Sequence, residues 1–192
     1  MTAADKVTSI RLVLAPIFFV VYLLPNWFSL PAAWTVPVLW TLFIAAEITD
    51  LIDGKLARSR NEVSDFGKLF DPFADTLVRI TYFLCFVVVG ILPALLLLVV
   101  LYREFGILFL RTLMMRRGIA MGARSGGKIK AVAYMVTGVF ALAAASARRL
   151  GLDVSLFSAL RLTAVIVFLA SVVLSLTSFG DYFRVYKNSD KA

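Results

Sequence analysis

The chain contains no histidine and a single cysteine among its 192 residues. The lack of histidine removes the side chain that most often acts as a general base near neutral pH and as a transition-metal ligand. Any metal ion bound by this chain is therefore expected to have oxygen ligands. The lone cysteine, Cys85, lies in an apolar run and has no second cysteine for an internal disulfide, so we expect it to pack in the core.

Charged residues are scarce and apolar residues are abundant. Only 17% of the residues are charged and 61% are hydrophobic, whereas apolar residues make up about 45–50% of an ordinary soluble domain. A membrane-spanning helix needs about 20 residues, so this length leaves room for six such helices with short loops. We therefore predict an all-α, polytopic integral membrane protein with six transmembrane helices, forming a single transmembrane domain over residues 1–192.

Hydropathy divides the chain into six apolar segments. Proline and glycine residues mark breaks between them, including Pro25, Pro31, Gly90 and Gly118. The first segment is interpreted as a span rather than a cleaved signal peptide, because no small-residue cleavage site follows it. The predicted spans are Val7–Leu24, Ala33–Arg58, Lys68–Val89, Pro93–Arg117, Gly127–Arg148 and Leu156–Tyr186.

Basic residues outnumber acidic ones by 20 to 12, which gives a net charge of +8. In a soluble protein this excess would suggest nucleic acid, but in a membrane protein it favours loops that face the cytoplasm and anionic lipid. With a cytoplasmic N-terminus, the basic residues at the opposite side are only Arg148, Arg149 and Arg161. We therefore predict a multi-pass protein of the cell (inner) membrane, with both termini cytoplasmic, surrounded by the lipid bilayer and without a nucleic-acid partner.

Four aspartates interrupt the apolar chain at the junction of the second and third spans. They occur as Asp50-x-x-Asp53 and Asp71-x-x-x-Asp75, so each pair lies on one face of its helix. A carboxylate at membrane depth costs about 2.5–3.5 kcal/mol on insertion scales, so four of them need a compensating partner. A divalent cation with a phosphate beside it would compensate them. The structural alternative is a set of ion pairs with Arg58, Arg60, Lys68 and Arg79.

The spacing of the carboxylates suits phosphoryl transfer. Mg²⁺ and Mn²⁺ prefer oxygen ligands, and two such ions can stabilise both the attacking and the leaving oxygen of a displacement. Gly54, Ala57 and Gly67 continue the two helix faces, and small residues let a ligand approach the backbone closely. We therefore expect a site that faces the cytoplasm and holds Mg²⁺ or Mn²⁺, with two ions.

The segment from Asp50 to Asp75 matches the longer pattern D-x-x-D-G-x-x-A-R-x8-G-x-x-x-D-x-x-x-D at every defined position. This pattern is the signature of the CDP-alcohol phosphotransferases, and the six-span layout resembles that family over essentially the whole chain. The resemblance implies an enzyme in which an alcohol attacks the lipid-linked phosphorus of a CDP-activated substrate and releases CMP. It further implies one catalytic domain over residues 1–192 and a homodimer.

The resemblance also implies a role for each matching residue. Asp75 is implied as the general base that takes the proton of the acceptor hydroxyl. The implied metal ligands are Asp50, Asp53, Asp71 and Asp75. The implied binding residues for cytidine diphosphate are Thr8, Asp50, Asp53, Gly54, Ala57, Arg58 and Gly67.

Three further segments resemble the phosphatidylglycerophosphate synthases within that family. They are Thr8-x-x-Arg11, Arg103-Glu104 with Arg111, and Gly127-Lys128-Ile129-Lys130. The departures from the pattern are Asp5 for asparagine, Ser125-Gly126 for S-W-W, and Ala131 for threonine. The likeness implies glycerol-3-phosphate as the acceptor, and the departures leave another alcohol open.

A basic cluster near the aspartates favours an acceptor that carries a phosphate. A cationic pocket suits glycerol-3-phosphate or inositol phosphate, whereas free serine, choline and ethanolamine carry no phosphate. The predicted ligands of the acceptor phosphate are Arg11, Arg111, Arg124, Lys128 and Lys130. The alternative is a basic loop that only determines topology, and we favour that interpretation for Arg116 and Arg117.

The sequence therefore predicts a phosphatidyltransferase of phospholipid biosynthesis that uses CDP-diacylglycerol and a small alcohol phosphate, with glycerol-3-phosphate favoured. The nearest alternative is the same chemistry with inositol phosphate, choline or serine. A more distant alternative is a divalent-cation channel or transporter in which the aspartates form the cation path. We favour the enzyme, because no internal repeat is visible and a cation path needs no cradle of small residues at these offsets.

Overall fold

In a computed structural model of the chain, the described residues form six α-helices. The helices are α1 (Ala3–Phe28), α2 (Thr35–Arg60), α3 (Asp65–Val88), α4 (Ala94–Arg116), α5 (Ser125–Arg149) and α6 (Val154–Ser189). The structure describes residues 3–60, 65–116 and 125–189, and within them the side chains of residues 8–49, 67, 70–116, 129–180, 182–184, 186 and 187. These ranges contain no strand, which confirms the predicted all-α class.

Each predicted apolar segment corresponds to one helix, and the ends differ by at most four residues. Three helices within the described residues are long and apolar enough to cross a membrane, namely Thr8–Phe28, Ile129–Arg149 and Val154–Arg184. In α2 the described side chains end at Thr49, and the stretch Thr35–Thr49 is a shorter apolar helix. The helices therefore support a membrane protein, and the count of six spans stays a prediction.

The end of α1 lies beyond the position predicted from Pro25. The helix continues through this proline to Phe28, so the predicted end at Leu24 is four residues too early. Proline lacks the N–H that would donate within the helix and its ring crowds the carbonyl four residues earlier, yet α1 continues through Pro25 for three more residues. The chain instead leaves the helix at Ser29, which has a φ of 53°, and the N–H of Leu30 donates to the carbonyl of Pro25 at 3.1 Å.

α3 and α5 end with the same type of turn as α1. Gly90 and Gly151 adopt φ values of 76° and 65°, which glycine reaches without a steric penalty. The N–H of the residue after each glycine donates to the carbonyl of Phe86 or Ala147, at 2.8 and 2.9 Å. This arrangement is the Schellman motif, and it satisfies carbonyls that the helix end leaves unpaired. Because α1, α3 and α5 run in the same direction, all three turns lie at one end of the helix bundle.

Aromatic side chains fill the core between α1 and α3. Phe18, Tyr22, Phe83 and Phe86 are at most 2% exposed, and the rings of Tyr22 and Phe86 meet edge to face with 5.6 Å between their centroids. Cys85 is buried among them as a free thiol, which confirms the prediction that it packs in the core. Close contact of this kind drives helix association in membranes, where the hydrophobic effect between helices is weak.

Small residues let α5 approach its neighbours closely. Ala141, Ala144 and Ala145 are at most 1% exposed, and α5 packs against α6 and α2. A Cβ atom on Gly138 would lie 2.8 Å from Cε2 of Phe43 on α2, so the ring occupies the space that a larger residue would fill. The small residues of α5 therefore serve packing within the chain.

The remaining contacts place the candidate site at the other end of the bundle from the three Schellman turns. α1 packs against α2 and α3, while α4 packs against α3 and α6. The first halves of α1, α3 and α5 therefore meet the second halves of α4 and α6. This end contains Asp71, Asp75, Arg111 and Lys130.

Candidate active site

Two side chains of α1 bind Asp71 and Asp75 of α3. Thr8 Oγ1 donates to Asp71 Oδ1 at 2.8 Å, and Arg11 Nη1 donates to Asp75 Oδ1 at 2.5 Å. Thr8 and Arg11 are about one turn apart on α1, and Asp71 and Asp75 are about one turn apart on α3. Both contacts can therefore form together across the α1–α3 interface. The Arg11 side chain is 3% exposed and that of Asp75 is 26% exposed. The carboxylate of Asp75 is therefore accessible while it remains bound to a buried cation.

A cavity of about 280 Å³ opens beside these carboxylates, between α3, α4, α5 and α6. Its charged lining residues are Asp71, Asp75, Arg79, Arg103, Glu104, Arg111 and Lys130. Four of these described side chains are basic and three are acidic. Because arginine and lysine bind phosphate oxygens strongly, this cavity suits an anionic ligand next to the two aspartates.

A buried ion network forms the wall of the cavity on α4 and α5. Glu104 Oε1 accepts hydrogen bonds from Arg103 Nη1 at 2.9 Å and from Lys130 Nζ at 2.7 Å. These three side chains are 10%, 3% and 9% exposed respectively. Arg103 Nε also donates to the backbone carbonyl of Ser175 on α6, at 3.0 Å. The network therefore links three helices around the cavity and places two cations against one carboxylate.

Arg111 is held in the cavity by an aromatic side chain of α6. Its Nη2 donates to Tyr182 Oη at 3.2 Å, and its guanidinium carbon lies 5.6 Å from the centroid of the same ring. Arg111 Nε is buried and has no hydrogen-bond partner within the described part of the chain. A buried polar group without a partner costs about 1–3 kcal/mol, so a bound anion would supply the acceptor that this N–H lacks.

Seven residues singled out from the sequence lie at this end of the structure. Asp71, Asp75, Arg111 and Lys130 line the cavity. Thr8 and Arg11 bind its aspartates, and Gly67 lies one turn before Asp71 on α3. The structure therefore brings together residues from four helices that the sequence placed in separate motifs.

Two of these residues have partners that the sequence did not predict. Arg11, predicted as a ligand of the acceptor phosphate, forms an ion pair with Asp75. Lys130, predicted for the same role, donates to Glu104. The alternative of purely structural ion pairs also named other partners for the aspartates, and Arg11 was not among them. The binding roles of both residues stay predictions.

The other predicted site residues lie beyond the described side chains. Asp50, Asp53, Gly54, Ala57 and Arg58 are part of the backbone of α2, Lys128 is part of α5, and Arg124 is outside the described residues. Position 53 precedes the end of α2 at position 60, and position 71 follows the start of α3 at position 65. At 1.5 Å per residue each position lies about 10 Å from the nearby end of its own helix.

Sequence reasoning assigned no site role to four residues that line the cavity, namely Arg79, Arg103, Glu104 and Tyr182. The three charged residues carried a usable signal, because ionisable side chains within a span usually face the protein interior. Arg79 also lies four residues after Asp75, on the same helix face. Tyr182 carried no such signal, since a tyrosine near a helix end is ordinary at a membrane interface.

The carboxylate oxygens at this site are the type of ligand that a hard divalent cation prefers. Asp71 and Asp75 line the same cavity one turn apart, and carboxylates are preferred ligands of Mg²⁺ and Mn²⁺. Within the described residues no group of three histidine, cysteine, aspartate or glutamate side chains comes together. A full ligand set would therefore require the aspartates of α2 as well.

Comparison with known proteins shows similarity over most of the chain. The family described as CDP-alcohol phosphatidyltransferase matches residues 1–177. The CDP-diacylglycerol–glycerol-3-phosphate 3-phosphatidyltransferase of Treponema pallidum (strain Nichols) is 37% identical over 195 aligned positions, covering 97% of this chain and 89% of the relative. The protein of the same name from Bacillus subtilis (strain 168) is 35% identical over 140 positions, covering 69% of this chain and 72% of the relative.

The family match includes the structural elements that form the site. It covers α1 to α5 and ends at residue 177 within α6, so among the cavity residues only Tyr182 lies beyond it. The match confirms the family that the aspartate signature predicted. The chain belongs to the CDP-alcohol phosphatidyltransferase family.

Proposed function

We propose that this protein transfers a phosphatidyl group from CDP-diacylglycerol to glycerol-3-phosphate, giving phosphatidylglycerophosphate and CMP. The observation that carries the proposal is the cavity with four basic side chains directly beside Asp71 and Asp75. Such a cavity favours an acceptor that bears a phosphate, whereas the cation of choline would be repelled. Two relatives over most of the chain are named for this reaction.

The acceptor phosphate binds between Arg111 and the network of α4 and α5. Tyr182 orients the guanidinium of Arg111, and Glu104 holds Arg103 and Lys130 in place. Binding groups that are already ordered lose less conformational entropy when the ligand arrives. Arg11, Lys128 and Arg124 remain part of the proposed phosphate-binding set.

Asp75 acts as the general base. Its carboxylate lies in the same cavity as the basic side chains, and the ion pair with Arg11 holds it in position. Asp75 takes the proton of the acceptor hydroxyl while the hydroxyl oxygen attacks the phosphorus linked to diacylglycerol. A new oxygen–phosphorus bond forms, the bond between that phosphorus and the bridging oxygen breaks, and CMP leaves with the electron pair.

The CDP group of the donor lies along the aspartate signature. Mg²⁺ or Mn²⁺, as two ions held by the four aspartates, would neutralise charge on the phosphates. Thr8 donates to Asp71 and thereby orients one carboxylate of the set. The proposed binding residues for cytidine diphosphate are Thr8, Asp50, Asp53, Gly54, Ala57, Arg58 and Gly67.

The membrane arrangement is part of the same proposal. All six helices span the bilayer, both termini lie in the cytoplasm, and the aspartate site faces the cytoplasm, where glycerol-3-phosphate is available. The excess of lysine and arginine at the end of the helix bundle that contains the aspartates supports this orientation. The acyl chains of the donor reach the site laterally between helices. From the family resemblance we also expect a homodimer. The mass of the protein particle in detergent tests this expectation.

CMP release by the purified protein tests the proposal directly. The protein in detergent is supplied with CDP-diacylglycerol, Mg²⁺ or Mn²⁺, and one of four acceptors: glycerol-3-phosphate, inositol phosphate, serine or choline. We expect CMP release with glycerol-3-phosphate only. Release with a different acceptor alone would refute the acceptor while retaining the family chemistry. No release with any acceptor, together with metal flux in liposomes, would favour a cation transporter.

Asp75→Asn separates catalysis from donor binding. The amide cannot accept the hydroxyl proton, so we expect turnover to fall by at least about 10²-fold while CDP-diacylglycerol binding stays largely intact. Turnover is measured as CMP release, and binding is measured with the donor alone. Asp71→Asn is the matched comparison and should weaken donor binding as well. Equal losses of turnover and binding in Asp75→Asn would contradict the general-base role.

A further inference from the structure

A second cavity, of about 390 Å³, lies at the end of the bundle opposite to the aspartates. It is formed where α1, α3 and α5 end in their three Schellman turns. Its lining residues are Asn26, Ala32, Val89, Arg148 and Arg149. The reaction proposed above uses none of these residues, so their chemistry needs a separate explanation.

Arg149 is fixed in the wall of this cavity. Its Nη2 donates to the carbonyl of Tyr22 at 2.7 Å, its Nη1 donates to Thr35 Oγ1, and its guanidinium carbon lies 4.3 Å from the centroid of the Tyr22 ring. These contacts connect the ends of α1 and α5 with the start of α2. Arg149 therefore has a structural role, and it also places an ordered positive charge at the cavity.

Arg148 is exposed and is much less engaged. Nη1 donates to the carbonyl of Val89 at 3.1 Å, and the guanidinium carbon lies 5.7 Å from the centroid of the Phe157 ring. No other hydrogen bond to Arg148 is formed by the described residues, so most of its N–H groups remain available. Asn26, whose amide can donate two further hydrogen bonds, is exposed on the same cavity.

Neither guanidinium has an acidic partner within the described part of the chain, since all three of their hydrogen bonds go to neutral oxygens. The helix ends nearby carry partial negative charge, and that charge accounts for some of the attraction to cations. However, the Schellman hydrogen bonds already satisfy carbonyls of these ends. Arg149 is accounted for by its three contacts with Tyr22 and Thr35, whereas Arg148 has a single hydrogen bond to Val89 at the end of α3 and one ring contact, which leave most of its N–H groups available to a ligand.

The position of the cavity relative to the membrane indicates which anions are available to bind there. Trp27 and Trp34, at the same end of the bundle, are 54% and 45% exposed. Exposed tryptophans of a membrane protein concentrate at the level of the lipid headgroups. The two arginines therefore lie where phosphate groups of lipids are abundant, in the leaflet opposite to the aspartate site.

We propose that this cavity is a binding site for an anionic phosphate group, contacted by Arg148, Arg149 and Asn26. Arginine forms strong charge-assisted hydrogen bonds to phosphate oxygens. The phosphate belongs either to an anionic lipid of that leaflet or to a free phosphate ion. Occupation of the site neutralises the two adjacent arginines and stabilises the junction of α1, α3 and α5.

Arg148→Gln tests the site without removing the structural contacts of Arg149. The matched control is Arg161→Gln. This change removes an exposed positive charge in the first part of α6, at the same end of the helix bundle but outside the cavity. The melting temperature of each purified protein is measured in neutral detergent while phosphatidylglycerol, diacylglycerol with the same acyl chains, or inorganic phosphate is added. Native mass spectrometry of the same samples gives the apparent dissociation constant for phosphatidylglycerol.

We expect the wild type and Arg161→Gln to respond to phosphatidylglycerol equally, and Arg148→Gln to bind it at least fivefold more weakly. A response to phosphatidylglycerol alone identifies the lipid headgroup as the ligand, and an equal response to inorganic phosphate identifies the free ion. Arg148→Lys keeps the charge and should recover most of the response, which a general folding defect would not allow. Equal responses to phosphatidylglycerol and diacylglycerol, or an unchanged response in Arg148→Gln, would overturn the proposal.

Discussion

Replacing Glu104 by glutamine removes the counter-charge of the network beside the active-site cavity. Among the described side chains, Glu104 is the only carboxylate that binds Arg103 and Lys130. Glutamine has nearly the same shape, so the change acts on charge and on hydrogen bonding rather than on packing. The variant leaves two positive side chains, each less than a tenth exposed, next to each other without a negative partner.

Removing one member of a buried ion pair costs about 3–5 kcal/mol, because the remaining charge stays buried. The glutamine carbonyl still accepts one hydrogen bond, worth about 1 kcal/mol. We therefore expect the free energy of unfolding to fall by about 2–4 kcal/mol in Glu104→Gln. Lys130→Met removes one of the two cations, so the glutamine substitution should cost about 1–3 kcal/mol less in that background.

The free energy of unfolding of the four proteins in this double-mutant cycle is measured by reversible unfolding in mixed micelles. Glu104→Asp keeps the charge and should lose less stability than Glu104→Gln. The assay of CMP release gives a second readout: the KM for glycerol-3-phosphate should rise more than the KM for CDP-diacylglycerol, because Arg103 and Lys130 are no longer held at the cavity. Additive free energies, within about 0.5 kcal/mol, would refute the coupling described here.

Two further predictions concern parts of the fold away from the cavity. Gly138→Ala should lower the melting temperature, because its Cβ would lie 2.8 Å from Phe43 and overpacking of this kind costs about 1–3 kcal/mol. Gly180→Ala, where nothing lies within 4 Å, is the control, and equal effects of both changes would contradict close α2–α5 packing. Asp153 precedes α6, and hydrogen bonds from Ser155 lower its pKa from the ordinary value of 3.8. Its stabilising effect should therefore be present at pH 7 and disappear as the pH falls below about 4. A difference in melting temperature between Asp153→Asn and the wild type that does not shrink as the pH falls from 7 towards about 2 would contradict this.

Hydropathy and turn residues were sufficient to predict the positions of the six helices, because each helix contains an apolar run and proline or glycine residues separate most of these runs. The family could be predicted as well, since every defined position of its signature is present between Asp50 and Asp75. The least accurate boundaries were the two ends of α1, each displaced by four residues, and at the later end Pro25 suggested a break. A helix can lose one hydrogen bond and continue, and this depends on tertiary contacts that sequence pattern does not reveal.

The partners of the charged residues could not be predicted from the sequence. Arg11 and Asp75 are separated by 64 residues, and Glu104 and Lys130 by 26, so their contact depends on how each helix is rotated about its axis. That rotation results from packing details such as the ring of Phe43 against Gly138. The sequence showed that charged side chains must be compensated, but several pairings satisfied this requirement equally well.

The ion pair between Glu104 and Lys130 also bears on how the protein enters the membrane. Each charged side chain costs a helix about 2.5–3.5 kcal/mol of insertion free energy at the bilayer centre, and α4 carries Arg103 and Glu104 near its middle. Glu104 gains its lysine partner only after α5 has been synthesised and has arrived beside it. In the six-span arrangement, α4 and α5 are therefore expected to leave the translocon together as a hairpin, because α5 alone would carry Lys130 into lipid without its carboxylate partner, whereas Glu104 already pairs with Arg103 within α4.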